Sequence, residues 1–139
     1  MRPPFVPRLF RAPALLATLA LALAACGGDS SNGSSTTIAG VKANDRGTKV
    51  VSGLTTTTVE TDNYYFSPSV LTGKPGQKLT IELKNASGTE HNFTQGSTRK
   101  DVEGGQTVTV QVTFPASGVI SFFCEYHRDM GMAGGLQAS

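Results

Sequence analysis

Residues 118–134 read GVISFFCEYHRDMGMAG, an apolar run that leads directly into a loop of polar and sulfur-containing side chains. The run from Val119 to Tyr126 is rich in β-branched and aromatic residues, which is typical of a central strand covered on both faces. A thiol, an imidazole and two thioethers lie close together in this stretch, at Cys124, His127, Met130 and Met132. The sequence therefore predicts a buried strand with a cluster of chemically active side chains where it ends.

Two upstream stretches alternate apolar and polar residues with a period of two: 78–84 (KLTIELK) and 106–113 (QTVTVQVT). Such alternation predicts strands with one buried face. Turn residues punctuate the chain at 73–76 (GKPG), 85–88 (NASG), 103–105 (EGG) and 115–118 (PASG). No stretch after residue 40 keeps a helical period. The pattern predicts an all-β domain over residues 54–139, folded as a Greek-key β-sandwich or barrel.

The N-terminus has the pattern of a bacterial export signal. Three arginines precede an apolar run of about a dozen residues, too short to span the membrane permanently. The run ends as Leu23-Ala24-Ala25-Cys26, which resembles the lipobox of bacterial lipoproteins, where the Cys becomes the acylated N-terminus. We therefore predict a lipoprotein signal peptide over residues 1–25 and lipidation of Cys26, with an ordinary signal peptide as the alternative.

Residues 26–53 contain much Ser, Thr, Asn and Gly and few apolar side chains, a composition that favours a flexible tether. The chain has two cysteines, so acylation of Cys26 would leave Cys124 without a disulfide partner. These features predict an exported protein, anchored to the extracytoplasmic face of a bacterial membrane, in the periplasm or at the cell surface.

The charge balance excludes one class of partner. The formal net charge is +2, but residues 1–25 contribute three of the twelve basic residues and none of the ten acidic ones. The remaining chain is nearly neutral and lacks a basic cluster, so nucleic-acid binding is not expected.

The loop chemistry indicates copper. Two His and one Cys in a plane, with a weakly bound axial Met, form the blue-copper electron-transfer site. The chain has only two histidines, and the second, His91, follows the strand predicted at 78–84 and its turn. Met130 lies three residues after His127 and remains an alternative axial ligand. Zinc fits less well because its protein ligands are Cys, His and carboxylates rather than Met. The resulting ligand set is His91, Cys124, His127 and Met132.

From about Phe66 to Leu136 the chain resembles the plastocyanin, pseudoazurin and amicyanin group of cupredoxins. The matching pieces are FSP at 66–68, Gly76 before the alternating strand, Asn85 leading to HNF at 91–93, GVISFFC at 118–124, and the spacing Cys-x-x-His-x-x-x-x-Met-x-Gly over 124–134. The resemblance implies that His91 and His127 are the histidine ligands, Cys124 the thiolate and Met132 the axial thioether. It also implies that Asn92, beside the first histidine, ties the two ligand loops together.

What the resemblance implies about function is a type 1 copper protein that passes single electrons between transient redox partners as a monomer, and not an enzyme. No histidines remain for a second copper centre of the kind that copper oxidases and nitrite reductases need. Two alternatives stay open: a membrane-anchored protein that binds or delivers copper without redox shuttling, and a metal-free structural sandwich.

Overall fold

The computed structural model describes residues 34–139. The predicted signal peptide and Cys26 lie outside the described residues. The strands of the described part, in chain order, are β1 (Ser34–Ile38), β2 (Val41–Asp45), β3 (Thr48–Val50), β4 (Thr56–Asp62), β5 (Tyr65–Ser67), β6 (Val70–Gly73), β7 (Lys78–Asn85), β8 (His91–Gln95), β9 (Thr98–Val102), β10 (Thr107–Thr113), β11 (Val119–Phe123) and β12 (Ala133–Ala138).

These strands form two main sheets and a separate hairpin. One sheet has the order β10-β7-β4-β5, and the other has the order β3-β6-β12-β11-β8-β9. The ladders are mixed: β4 pairs with β7 in parallel and β6 pairs with β12 in parallel, while β7–β10 and β11–β12 are antiparallel. The parallel pairs show that the chain crosses over between strands and does not follow a simple meander. The two sheets enclose one core, so the fold is an all-β sandwich, as the sequence predicts.

The alternating stretches form the strands expected of them. In β7 the buried side chains are Leu79, Ile81, Leu83 and Asn85, and in β10 they are Val110 and Val112. Because the two strands pair in register, with Val110 opposite Ile81 and Val112 opposite Leu79, both strands turn their apolar side chains to the same face. That face meets the aromatic side chains of the second sheet.

Three phenylalanines fill the centre between the sheets. Phe93 of β8 stacks on Phe122 of β11 with ring centroids 4.7 Å apart, and Phe66 of β5 meets Phe122 edge-on at 5.1 Å. Each ring is fully buried, and offset and edge-to-face contacts of this kind are the preferred arrangements of aromatic rings. Strand β8 also carries His91, and β11 leads into Cys124. This aromatic packing therefore holds in place the two strands that present candidate metal ligands.

Strand β11 lies inside its sheet, between β12 and β8, as expected of a central strand. Its second face is less covered than the sequence predicts, because Phe122 is the one fully buried residue of the strand and Val119 is exposed. The reason is architectural: a two-layer sandwich gives each sheet one buried face, and the outer face of this sheet is only partly covered.

The tether predicted for residues 26–53 is wrong from Ser34 onward. β1 and β2 form a hairpin, in which Ile38 pairs with Val41 across the two-residue turn Ala39-Gly40. Both turn residues have positive φ, +46° and +79°, as a tight hairpin turn requires. β3 joins the larger sheet by pairing with β6. The folded domain therefore begins well before residue 54.

The physical reason for this error is that a few buried side chains are enough to dock a hairpin. Ile38, Val41 and Ala43 are buried against Ala133, with Val70 and Phe123 packed alongside. The Ser and Thr residues at 34–37, which precede Ile38, face solvent, and Thr is a good strand former. Composition alone shows that most residues of this segment are polar, and it does not reveal that Ile38, Val41 and Ala43 are buried.

Candidate metal centre

The loop between β11 and β12 carries three of the four candidate ligands, Cys124, His127 and Met132. Cys124 follows the last residue of β11, and its N–H donates to the Met132 carbonyl at 3.0 Å, which closes the loop at its base. The N–H of His127 donates to the Cys124 carbonyl at 3.2 Å, and a 3₁₀ turn at Arg128–Met130 follows. The loop is therefore folded back on itself, and His127 lies beside Cys124.

The fourth candidate, His91, comes from the neighbouring strand. It is the first residue of β8, which pairs with β11 through Thr94 and Phe123. The next residue, Asn92, donates its backbone N–H to the Cys124 sulfur at 3.3 Å. Pairing of the two strands thus brings together ligands that are more than thirty positions apart in the chain.

The donor atoms of His91, Cys124 and His127 lie within 4.8 Å of one another. The two Nδ1 atoms are 3.2 Å apart, and the Cys124 Sγ is 3.5 Å from the His127 Nδ1. Ligands bound to one ion at about 2.0–2.3 Å lie at such separations from each other. His91 and Cys124 are fully buried, whereas His127 is half-buried. The donor set therefore fits a single ion that is shielded on most sides.

The two methionines of the loop differ in their surroundings. Met132 is 0% exposed and packs in the same core cluster as Cys124. Its N–H donates to the His127 carbonyl at 3.2 Å. Met130 lies on the 3₁₀ turn and is 53% exposed. Only Met132 lies in the buried part of the loop.

Asn92 joins the two segments that carry the ligands. In addition to the bond from its N–H to the Cys124 sulfur, its Oδ1 accepts the Glu125 N–H at 2.8 Å. The side chain is fully buried. Asn92 therefore connects β8 to the ligand loop at the Cys124 sulfur and at the residue that follows it.

Sequence reasoning missed the residues that orient His91. The Ser87 hydroxyl lies 3.0 Å from the His91 Nε2 and donates to the Asn85 Oδ1 at 2.8 Å. The amide of Asn85 in turn donates to the carbonyls of Thr89 and Val102, at 2.7 and 3.1 Å. This chain of bonds leaves the His91 Nδ1 directed at the other ligands. The NASG turn signal marks a loop here, but its pattern does not indicate which side chain meets the histidine.

Tyr64 is a second residue that sequence reasoning missed. Its ring centroid lies 4.6 Å from that of His127 and 6.5 Å from that of His91. It belongs to the turn between β4 and β5, remote in sequence from both ligands, and no spacing signal connects it to them. The half-buried Tyr64 ring covers the two imidazoles on one side.

The loop residues 130–133 do not form an exposed apolar rim around His127, because Gly131, Met132 and Ala133 are buried. The hairpin β1–β2 covers this part of the loop: the Asn44 N–H donates to the Gly131 carbonyl at 2.8 Å, and Ala133 packs in the cluster of the hairpin. Met130 alone of the four residues remains exposed.

Burial sets the charge state of the ligands. It lowers the pKa of His91 to about 4, with a further contribution from the nearby His127. Burial also lowers the pKa of His127 and raises the pKa of the Cys124 thiol. Near neutral pH both imidazoles are therefore uncharged with a lone pair to offer, and a bound cation would displace the thiol proton.

Comparison with known proteins gives the family. The model of the cupredoxin-like domain matches residues 16–136, and the chain belongs to this family. No curated protein sequence matches the chain. In this family, a buried set of two imidazoles and a thiolate is a copper site, and the arrangement of His91, Cys124 and His127 supports one copper ion.

Solved structures share the fold. Auracyanin A, a blue copper protein of Chloroflexus aurantiacus, is 22% identical, with 60% of this chain and 98% of that chain covered and a TM-score of 0.52. The auracyanin of Roseiflexus castenholzii is 21% identical, with 61% and 97% covered and a TM-score of 0.52. The metal-binding domain of the Streptococcus pneumoniae Cu(I)-exporting P-type ATPase is 11% identical, with 66% and 96% covered, again with a TM-score of 0.52. At these identities the likeness concerns the fold alone.

Proposed function

We propose that this chain is a type 1 copper protein that carries single electrons. The observation that supports this most directly is the convergence of the His91, Cys124 and His127 donor atoms within 4.8 Å in a buried site. A thiolate with two imidazoles is the planar ligand set of blue-copper centres. Copper bound there would supply the one-electron change between Cu(II) and Cu(I).

Met132 is the proposed axial ligand. A weak axial thioether has to approach the ion from inside the protein, and Met132 is fully buried in contact with the core cluster that contains Cys124. Met130 is more than half exposed and lies on the outer turn of the loop. Burial therefore favours Met132, the same methionine that the Met-x-Gly spacing of the cupredoxin resemblance indicates.

The surroundings of the ligands suit electron transfer better than catalysis. Asn92, Ser87 and the β8–β11 pairing hold the donor atoms in place through contacts within the protein. A fixed ligand set needs little rearrangement when the oxidation state of copper changes. The half-buried His127 is the ligand closest to solvent, so its outer edge is the proposed point of contact with transient redox partners.

An absorption spectrum of the copper-loaded full chain tests the proposal. Oxidised wild-type protein should be intensely blue and should lose and regain this colour on repeated reduction and oxidation. Cys124→Ser should remove the colour, while the matched sulfur variant Met130→Leu should keep it. A colourless Cu(II) form, or colour retained without the thiolate, would refute the electron-carrier function.

Copper delivery is the second candidate, favoured by one observation. The Met130 thioether is exposed three residues from His127, where it could receive or release Cu(I). A delivery protein would bind Cu(I) without colour and pass it to a chelating acceptor within minutes, whereas an electron carrier would retain its metal through many redox cycles.

We further propose that the protein is exported and anchored by lipid at Cys26, and that it acts as a monomer. Among the described residues no helix has the length and apolarity to cross a membrane. Replacing Cys26 with Ser should move the protein from the membrane fraction to the soluble fraction without changing its absorption spectrum. An unchanged membrane fraction would refute lipid anchoring at this residue.

The position of the hairpin limits the distance between a lipid at Cys26 and the folded domain. β1 begins at Ser34, eight residues after Cys26, and an extended chain spans at most about 28 Å over that distance. Ser35 pairs with Asn44, which contacts the ligand loop. A lipid at Cys26 would therefore hold the end of the molecule with the metal centre close to the membrane, within reach of a redox partner there.

A further inference from the structure

The hairpin β1–β2 lies directly on the ligand loop. It pairs with neither main sheet, yet its apolar side chains are buried against Ala133, the residue that follows Met132. Its contact with the loop is therefore made by side chains and by individual hydrogen bonds, and the hydrogen bonds converge on one residue, Asn44.

Asn44 binds three carbonyl groups. Its backbone N–H donates to the Gly131 carbonyl at 2.8 Å. Its side-chain Nδ2 donates to the Met130 carbonyl at 2.8 Å and to the Tyr64 carbonyl at 2.9 Å. Two of these carbonyls lie between the ligands His127 and Met132, and the third belongs to the tyrosine whose ring packs on His127.

The chemistry of this position suits a primary amide. One NH₂ group supplies two donors to two carbonyl oxygens, and a carboxylate of the same size has none to offer. The fit is also close: a Cβ at position 131 would lie 2.8 Å from the Asn44 Oδ1, so the side chain of Asn44 packs against the glycine backbone. Asn44 therefore joins the hairpin, the Tyr64 turn and the ligand loop at a single point.

We propose that Asn44 is a positioning residue of the metal centre and that the hairpin is a clamp on the ligand loop. This inference rests on the proposed copper function. Asn44 touches no ligand atom; it acts through the backbone of residues 130–131 and through Tyr64, and so fixes the path of the loop from His127 to Met132. The region that sequence composition describes as a tether thereby becomes part of the site.

The test uses the full chain with Asn44→Asp, which keeps the size of the side chain and the backbone bond but replaces the NH₂ group, with its two N–H donors, by one oxygen atom. In the copper-free protein we expect the Met130, Gly131 and Met132 amides to exchange hydrogen at least about tenfold faster, while amides of β7 keep their wild-type rates. In the copper-loaded protein we expect copper to dissociate faster than from wild type and the absorption bands to shift, because the loop from His127 to Met132 is no longer held in place.

Ser35→Asp is the matched control. Ser35 is the cross-strand neighbour of Asn44 and is exposed, so this variant adds the same charge without removing a bond to the loop, and it should behave as wild type. Asn44→Ser removes the same amide donors without adding a charge, and it replaces Asn44→Asp if that variant does not fold.

The outcomes separate the clamp from the copper function. If loop exchange and copper dissociation in a folded Asn44 variant equal those of wild type, or if exchange rises equally in β7, the positioning role is refuted. A wild-type protein that is never blue refutes the proposed function instead, and the exchange rates of the copper-free chain still decide whether the clamp exists.

Discussion

At the scale of single residues, the orientation of His91 depends on a short relay of hydrogen bonds. A histidine that binds metal through Nδ1 carries its proton on Nε2, and the Ser87 hydroxyl lies 3.0 Å from that atom. Ser87 is itself held by Asn85, which is buried and bonded to the Thr89 and Val102 carbonyls. The imidazole is therefore aligned for a metal by residues that never touch the metal.

This relay predicts the effect of Ser87→Ala. Loss of the hydroxyl leaves the buried His91 Nε2–H without a partner, so we expect copper affinity to fall roughly 10-fold, the usual effect of removing a partner of a ligating histidine. Competition with a copper chelator measures the affinity. Ser117→Ala, in an exposed turn, is the control and should leave affinity unchanged. Equal affinities for the two variants would contradict the role given to Ser87.

The two methionines give a second prediction at this scale. Met132→Leu keeps the volume of the buried side chain but removes the thioether, a weak donor that stabilises Cu(II) more than Cu(I). We therefore expect a higher reduction potential with the blue colour retained. Met130→Leu, on the exposed turn, should leave the potential within experimental error of wild type. Voltammetry of both variants decides the matter, and the reverse pattern would make Met130 the axial ligand.

At the scale of secondary-structure elements, β12 has to pass very close to its neighbours. A Cβ at Gly134 would collide with the Ser69 carbonyl oxygen and with the Phe122 ring. Gly134 pairs with Phe122 in the ladder between β12 and β11, so the absence of a side chain is what lets this aromatic ring lie across β12. The close packing of β12 and β11 also sets the width of the loop that they enclose, from Cys124 to Met132.

We predict that Gly134→Ala destabilises the copper-free protein by about 1–3 kcal/mol, the usual cost of overpacking a closely packed core. Chemical denaturation measures this difference. Gly88→Ala is the control, because a Cβ there meets nothing within 4 Å, and it should change stability little. A Gly134 variant as stable as the Gly88 variant would show that β12 can move away at no cost.

At the scale of the whole molecule, the folded unit includes the hairpin. Ile38, Val41 and Ala43 cover Ala133 and pack beside Val70 and Phe123. The hairpin also contributes the Asn44 bonds to the ligand loop. A boundary placed at residue 54 would remove these contacts and the β3–β6 pairing at the edge of the larger sheet.

Two truncations test this boundary. A chain that starts at residue 34 should keep the stability of the longer protein in the copper-free state. A chain that starts at residue 46 loses the burial of Ile38 and Val41, and we expect it to be less stable by about 3–6 kcal/mol, from roughly 1.5–3 kcal/mol for each large apolar side chain. Equal unfolding midpoints for the two chains would mean that the hairpin contributes nothing to the fold.

Local pattern was sufficient for a large part of the fold. The period-two alternation of 78–84 and 106–113 identifies β7 and β10 and their buried faces, because alternate side chains of a strand point to opposite sides. The turn signals separate the strands. Pattern failed for residues 34–50, since a strand that docks through two or three apolar residues has too little hydrophobic signal to stand out from a polar linker.

For the metal centre, the chemistry of the residues determined which side chains were candidate ligands. Two histidines, one cysteine in the folded part and a Met-containing loop leave few combinations, and ligand softness favours copper among the metals. These inferences need no coordinates, because they depend on atoms that the side chains carry wherever they lie.

Only the tertiary structure decided what surrounds those ligands. Ser87 beneath His91, Tyr64 against His127 and Asn44 on the ligand loop come from segments far apart in the chain. A hydrogen bond or a ring contact depends on distances between atoms across strands, and no spacing along one strand encodes these distances. The sequence by itself thus determined the ligand chemistry and the strands that carry it, and packing of the strands decided how the ligands are oriented, covered and held.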